Sequence, residues 1–128
     1  MPYLYSPRRY AASVDTITAY ASEVGRDLSG FEWCAFVFVN IDDDDGDGAR
    51  EETARFLGGT YNQNFSDMLT SVAVAGTGAE VTARLQEFVD AGVRHLIITT
   101  ATRDRWWPVV HRLTDEILPA LTVREDAA

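Results

Sequence analysis

Residues 75–98 read AGTGAEVTARLQEFVDAGVRHLII, and the way this stretch breaks decides the fold. Thr77 and Glu80 make a T-x-x-E capping box, in which hydroxyl and carboxylate each satisfy a free backbone N–H at a helix start. Val81, Leu85, Phe88 and Val89 recur at helical spacing and predict one buried face. Gly92 ends that helix. VRHLIITTA (93–101) is apolar and β-branched, as a strand requires, and SVAVAG (71–76) upstream predicts a shorter, weaker strand. The unit is therefore strand, helix, strand.

Working outward, WCAFVFV (33–39) is apolar throughout and does not alternate, which predicts a strand buried on both faces in a parallel sheet covered by helices. Ser6-Pro7 is a helix start, with Ser as N-cap and Pro at the first helical position. Tyr10, Val14, Ile17, Ala21 and Val24 form the stripe of that helix, and Gly25 its left-handed stop. A helix is expected over Ala49–Leu57, ended by Gly58-Gly59, and a second short one over about Tyr61–Leu69. The last helix sets Trp106, Val110, Leu113 and Ile117 on one face and stops at Pro119; the tail TVREDAA is polar and frayed. Strands alternating with helices predict βα units on a parallel sheet, in one domain spanning 1–128.

At 128 residues the chain is long enough to bury a core, and its 46% hydrophobic and 24% charged residues describe a globular protein. A net charge of −9 argues against nucleic acid or an anionic membrane as partner. Every basic residue is Arg, so lysine Schiff-base chemistry is excluded from this chain. The single Cys34 cannot form an internal disulfide, and its apolar neighbours predict a buried core residue rather than a reactive thiol. MPYLYSPRR lacks the apolar core of a signal peptide, and no stretch approaches the ~20 apolar residues of a membrane span. A cytoplasmic protein is expected.

Four stretches resemble the C-terminal part of the luciferase-like flavin-dependent oxidoreductases, the family of bacterial luciferases, alkanesulfonate monooxygenases and deazaflavin-dependent enzymes. SPRRYAASVDTITAYASEVGRD is similar to the family helix that ends in a Gly-Arg-Asp turn. FVFVNIDDD followed by AREETARFL is similar to its strand, acidic turn and helix. The stretch at 75–98 resembles the family's Gly-Thr-Pro-Glu-Glu segment and its Asp-Ala-Gly-Val lead into the last strand, and HRLTDEILPAL its closing helix. Gly78 and Ala79 stand where the family often has Pro-Glu. The resemblance implies an α/β chain that is a partial (β/α)8 TIM barrel, the C-terminal portion, with about three βα units of a parallel sheet flanked by helices. A whole barrel needs on the order of 250 residues.

Such a chain leaves two sheet edges and half a core uncovered. That implies a truncated product, completion by a complementary chain, or a homodimer. By resemblance the intact enzyme uses FMN or an F420-type deazaflavin for hydride transfer or oxygen insertion on a small organic substrate. The glycine-rich phosphate turn and most of the ring pocket fall before this segment, so no tight cofactor binding is expected from it alone. The other reading is a non-catalytic half-barrel, an accessory or oligomerising subunit with a residual small-molecule groove.

Function in a barrel sits at the C-terminal ends of the strands. This selects Asn40 with the acidic loop, Gly76-Thr77, and the run Thr99, Thr100, Thr102, Arg103, Arg105. Arg103 and Arg105 either grip a substrate phosphate, sulfonate or carboxylate, or pair on the surface with Asp104, Asp115 or water. Trp107 with Trp106 either walls a substrate or packs, Trp106 fitting the apolar stripe. Tyr61, Asn62 and Asn64 are either substrate contacts, as the resemblance implies, or an exposed capping turn. Tyr3 and Tyr5 fall where the family chain leaves its fifth strand and are candidate pocket residues by that resemblance. His95 and His111 lack a carboxylate or Ser at catalytic spacing and read as structural or surface residues.

NIDDDDGDG (40–48) opens like a calcium loop, but the twelfth position counted from Asp43 is Ala54, and a strand precedes it. No metal is expected. The run reads instead as a solvated, mobile βα loop, with Asp47 as N-cap of the next helix and its carboxylates favouring the positive end of that helix.

Overall fold

A computed structural model describes residues 4–61 and 68–124. Helix α1 (Pro7–Val24) starts as expected: the Ser6 hydroxyl accepts the Arg9 N–H at 3.1 Å, and Gly25 closes the helix at φ 69°. Tyr10 and Ala21 are buried and Val14 packs on the core, whereas Ile17 and Val24 at the far end of the stripe are exposed. Strand β1 (Cys34–Ile41) follows, then α2 (Gly46–Tyr61), the single turn α3 (Leu69–Val72), β2 (Ala73–Gly76), α4 (Gly78–Asp90), β3 (His95–Thr100) and α5 (Trp106–Arg112). A π turn (Leu113–Ile117) leads into α6 (Leu118–Ala120). Cys34, expected in the core, is only half-buried at the start of β1.

The sheet is parallel throughout, in the order β2-β1-β3. Neighbouring strands of a closed barrel lie side by side in chain order. Here α4 links β2 to β3, yet those two strands lie on opposite edges of β1, so the sheet departs from that order. Side chains alternate between faces along a strand, so Ala35, Val37, Val39 and Ile41 share one face with Val74. That face packs on Tyr10 of α1, on Val81, Leu85 and Phe88 of α4, and on Val109, Leu113 and Ile117 of the last helical segment. Phe38 and Ala73 point the other way, onto Leu57 of α2 and Leu69 and Val72 of α3, with Phe36, Ala54, Phe56 and Tyr61 at the margin. The second face is thus covered over β2 and the end of β1, whereas no residue of β3 is fully buried. A barrel keeps its helices outside, as α1, α4 and α5 do here, while α2 lies on the face that a closed barrel turns inward.

Two helix ends and one helix face differ from the sequence reading. α2 runs through Gly58-Gly59: neither glycine has positive φ, and Leu57, fully buried, anchors the turn before them. The ~1 kcal/mol cost of each glycine is a propensity that tertiary packing overrides. The buried residues of the last helix are Val109, Leu113 and Ile117, so Trp106 is half-exposed rather than on the packed face. Pro119 does not end the helix; it sits inside α6 behind the wider π turn, where an ordinary α ladder would be broken by its missing N–H. The short helix expected over Tyr61–Leu69 falls mostly outside the described residues.

Candidate functional site

The C-terminal rim of the sheet begins where β1 ends. Asp42 Oδ1 accepts the N–H groups of Asp44 (3.0 Å) and Asp45 (3.2 Å), turning the chain, and Asp45 Oδ1 accepts Gly48 N–H at 2.8 Å. Asp45, not Asp47, therefore caps α2; Asp47 lies in the first turn and pairs with Arg50 at 2.5 Å. The acidic run is also less free than its composition suggests. The Asp43 carboxylate bonds to the Arg112 guanidinium and accepts Gly78 N–H at 2.8 Å, which ties the loop to the start of α4. The Arg112 bond first, then the Gly78 N–H, holds the Asp43 carboxyl below its ordinary value. Beside it the expected capping box is present: Thr77 Oγ1 accepts Glu80 N–H at 3.3 Å while Glu80 Oε1 accepts Thr77 N–H, also at 3.3 Å. Arg50 joins Glu80 at 2.7 Å.

The densest polar contact lies between the ends of β1 and β3. Glu52, on the inner side of α2, accepts the Asn40 side-chain N–H at 3.0 Å, the Arg105 guanidinium at 2.6 Å, and the Thr102 hydroxyl. Arg105 also donates to Ile41 O (3.0 Å) and Asn40 Oδ1 (3.3 Å), and Asn40 donates to Ala49 O (3.2 Å). Asn40 is fully buried and Thr102 nearly so. Burial acts to raise the Glu52 carboxyl, but the hydrogen bonds from Thr102, Arg105 and Asn40 outweigh it and the net shift is downward. Glu52 is therefore an ionised acceptor at neutral pH, with both oxygens engaged, and it does not serve as a proton donor.

A cleft of about 440 Å³ opens next to this knot, lined by Glu52, Arg55, Phe56, Thr102, Arg103 and Asp104. Of the residues singled out in the sequence, Arg103 lines the cleft and Arg105 is held in the knot by Glu52, a partner the sequence reading did not name. Trp107 is 56% exposed and meets Trp106 and His111 edge-on, so it is neither packed nor part of the cleft lining. Tyr61 packs edge-on against Phe38, and Tyr5 lies under the Arg9 guanidinium at 4.1 Å; neither lines the cleft. Tyr3, Asn62 and Asn64 lie outside the described residues. His95 pairs with Glu32 at 2.5 Å and His111 with Asp115 at 3.5 Å. Sequence reasoning missed Glu52, Arg55 and Phe56 as site residues.

A larger concavity, about 780 Å³, lies at the opposite end of the sheet among Phe31, Trp33, His95, Leu96, Leu118 and Leu121. It is remote from the carboxylate–guanidinium knot, at the end of a parallel sheet that carries stability rather than function. Among the described residues, no three His, Cys, Asp or Glu side chains converge as metal ligands, and no helix is long and apolar enough to cross a membrane.

No family model and no curated protein matches the sequence. Solved structures do match in fold. An F420-dependent secondary alcohol dehydrogenase, in complex with an F420–acetone adduct, superposes at a TM-score of 0.72 with 18% identity, over 94% of this chain and 42% of its own. The coenzyme F420-dependent tetrahydromethanopterin reductase from Methanopyrus kandleri superposes at 0.69, also with 18% identity, over 94% and 44%. The chain thus spans less than half the length of either. The likeness is one of fold: a parallel sheet with flanking helices that corresponds to part of a luciferase-like TIM barrel.

Proposed function

We propose that this chain is the substrate-side part of a deazaflavin-dependent oxidoreductase of the luciferase-like type, acting on a small organic molecule. The observation that carries this reading is the fold match over 94% of the chain to two F420-dependent oxidoreductases. The Asn40–Glu52–Thr102–Arg105 knot and its cleft lie at the strand ends where such folds work.

The acidic loop after β1 does not fit the anionic tail of a flavin or deazaflavin nucleotide. That loop carries Asp42, Asp43, Asp44, Asp45 and Asp47, and the arginines beside it, Arg50, Arg105 and Arg112, are each paired to carboxylates. What the chain's own groups do is hold the rim: Glu52 fixes the end of β1 to the segment after β3, and Asp43 fixes the acidic loop to α4.

Titration of the purified chain with a deazaflavin and with FMN, read by cofactor fluorescence, tests the reading. Weak saturable quenching is expected, with deazaflavin preferred over FMN. A tail-less deazaflavin should bind as well as the full cofactor, because the loop of five aspartates repels a phosphate. No quenching at millimolar cofactor would leave the second reading, an accessory subunit with a residual groove. One observation favours that alternative: α2 occupies the face a closed barrel turns inward. Either reading has the chain associating with a complementary chain or a second copy, which light scattering measures.

A further inference from the structure

In open parallel sheets ligands enter where the connections from adjacent strands leave toward opposite faces. β1 and β3 are such a pair, since β1 leads into α2 on one face and β3 into α5 on the other. The cleft lined by Glu52, Arg55, Phe56, Thr102, Arg103 and Asp104 opens at that point. Its charge is set by few groups. Glu52 is neutralised by Arg105 at 2.6 Å, which leaves Arg55 and Arg103 against Asp104. Both arginines are exposed, and neither makes an ion pair or hydrogen bond with a described residue, unlike Arg50, Arg105 and Arg112 around them. Two guanidiniums in one cleft without a partner among the described residues, in a protein of net charge −9, form a local positive site in a negative field.

We propose that this cleft binds a small organic monoanion, with Arg55 and Arg103 on its carboxylate or sulfonate and Phe56 against its carbon skeleton. Guanidinium forks match such anions by paired N–H donors, and an aromatic wall favours an aryl or aliphatic body over a bare inorganic ion. The inference deepens the proposed function by naming the substrate class of its site, and it rests on that reading only for the chemistry done on the bound molecule.

The test titrates sodium benzoate, and benzamide as its neutral isostere, into the isotope-labelled chain and follows backbone amide shifts. Benzoate is expected to move Arg55, Phe56, Thr102, Arg103 and Asp104 and to bind at least about tenfold more tightly than benzamide. Arg55→Gln and Arg103→Gln are each expected to weaken benzoate about tenfold, and Arg8→Gln, an exposed arginine on α1, to change nothing. Thermal unfolding of each variant checks that it folds. Equal binding of benzoate and benzamide, or undiminished benzoate binding in both cleft variants, overturns the proposal. The tail-less deazaflavin titration on the same samples separates the two claims. Benzoate binding without deazaflavin quenching leaves the anion site and removes the oxidoreductase; quenching without benzoate binding does the reverse.

Discussion

Replacing Glu52 by Gln keeps the shape of the side chain and removes one acceptor oxygen and the charge. Its two oxygens serve three donors: the buried Asn40 amide, the Thr102 hydroxyl and the Arg105 guanidinium. The new amide N–H₂ faces one of those donors, so at least one buried donor loses its acceptor, at a cost of about 1–3 kcal/mol. The lost ion pair adds little, because the Arg105 side chain is 37% exposed and such pairs contribute ~0–1 kcal/mol. A total of roughly 2 kcal/mol corresponds to a fall in Tm of about 8 °C for a chain of this size. Urea unfolding and thermal melts by circular dichroism measure both.

The pH dependence makes this test specific. The Glu52 carboxyl lies below its ordinary value of 4.5 in the folded protein. Its contribution is therefore fully present above that value and lost as pH falls through the lower, folded one. The gap between wild type and Glu52→Gln should be constant from pH 7 down to about 5 and should close below about 4.5. Asp43 and Glu80, also shifted down, titrate in both proteins and cancel from the difference. A gap under about 0.5 kcal/mol at pH 7, the size of an ordinary surface change, would refute the knot. So would a gap that does not vary with pH.

Leu57→Ala should cost about 2–5 kcal/mol in urea unfolding if α2 covers the second sheet face as described; a loss below ~1 kcal/mol would mean the helix is not packed there. Removing the cap at α4 with Thr77→Ala should lower stability by about 1 kcal/mol, a drop of about 4 °C in a thermal melt, while Thr77→Ser should hold most of it. The Tyr10 hydroxyl donates to Cys34 O at 3.1 Å, and its pKa is raised to about 12 by burial first, then by Cys34, with Arg94 opposing. Ultraviolet titration of the five tyrosines should thus show one late component that Tyr10→Phe abolishes. Because that shift is upward from 10.0, its stability is present below pH 10 and lost as pH rises toward 12.

The elements were legible where local chemistry and tertiary packing agree. The Thr77–Glu80 box, the Ser6 cap, the Gly25 stop and the both-faces-buried strand are short-range signals, and each is present. Boundaries were illegible where packing overrode propensity. Gly58-Gly59 reads as a stop, yet α2 passes through it because Leu57 is held against Phe38 and Ala73. Strand order was not legible either. Nothing local says that β2 pairs with the far edge of β1, and that placement lets α2 and α3 cover the second face over β1 and β2.

The polar contact at the strand ends was legible in place and not in partners. The strand-end rule selected Asn40, Thr102, Arg103 and Arg105, but it is silent about which acid answers them. Glu52 carried a signal of its own. Ala49, Thr53 and Leu57 are the buried positions of α2, and Glu52, three residues after Ala49 and next to Thr53, falls on the edge of that stripe. A carboxylate bordering an apolar helical face needs donors from whatever that face packs on. Asn40, at the end of an otherwise apolar strand, has the mirror requirement. Each taken alone reads as a misplaced polar residue; together they identify the contact that fixes the rim. With Arg105 committed to that contact, the proposed anion site rests on Arg55 and Arg103, which pair with no described residue.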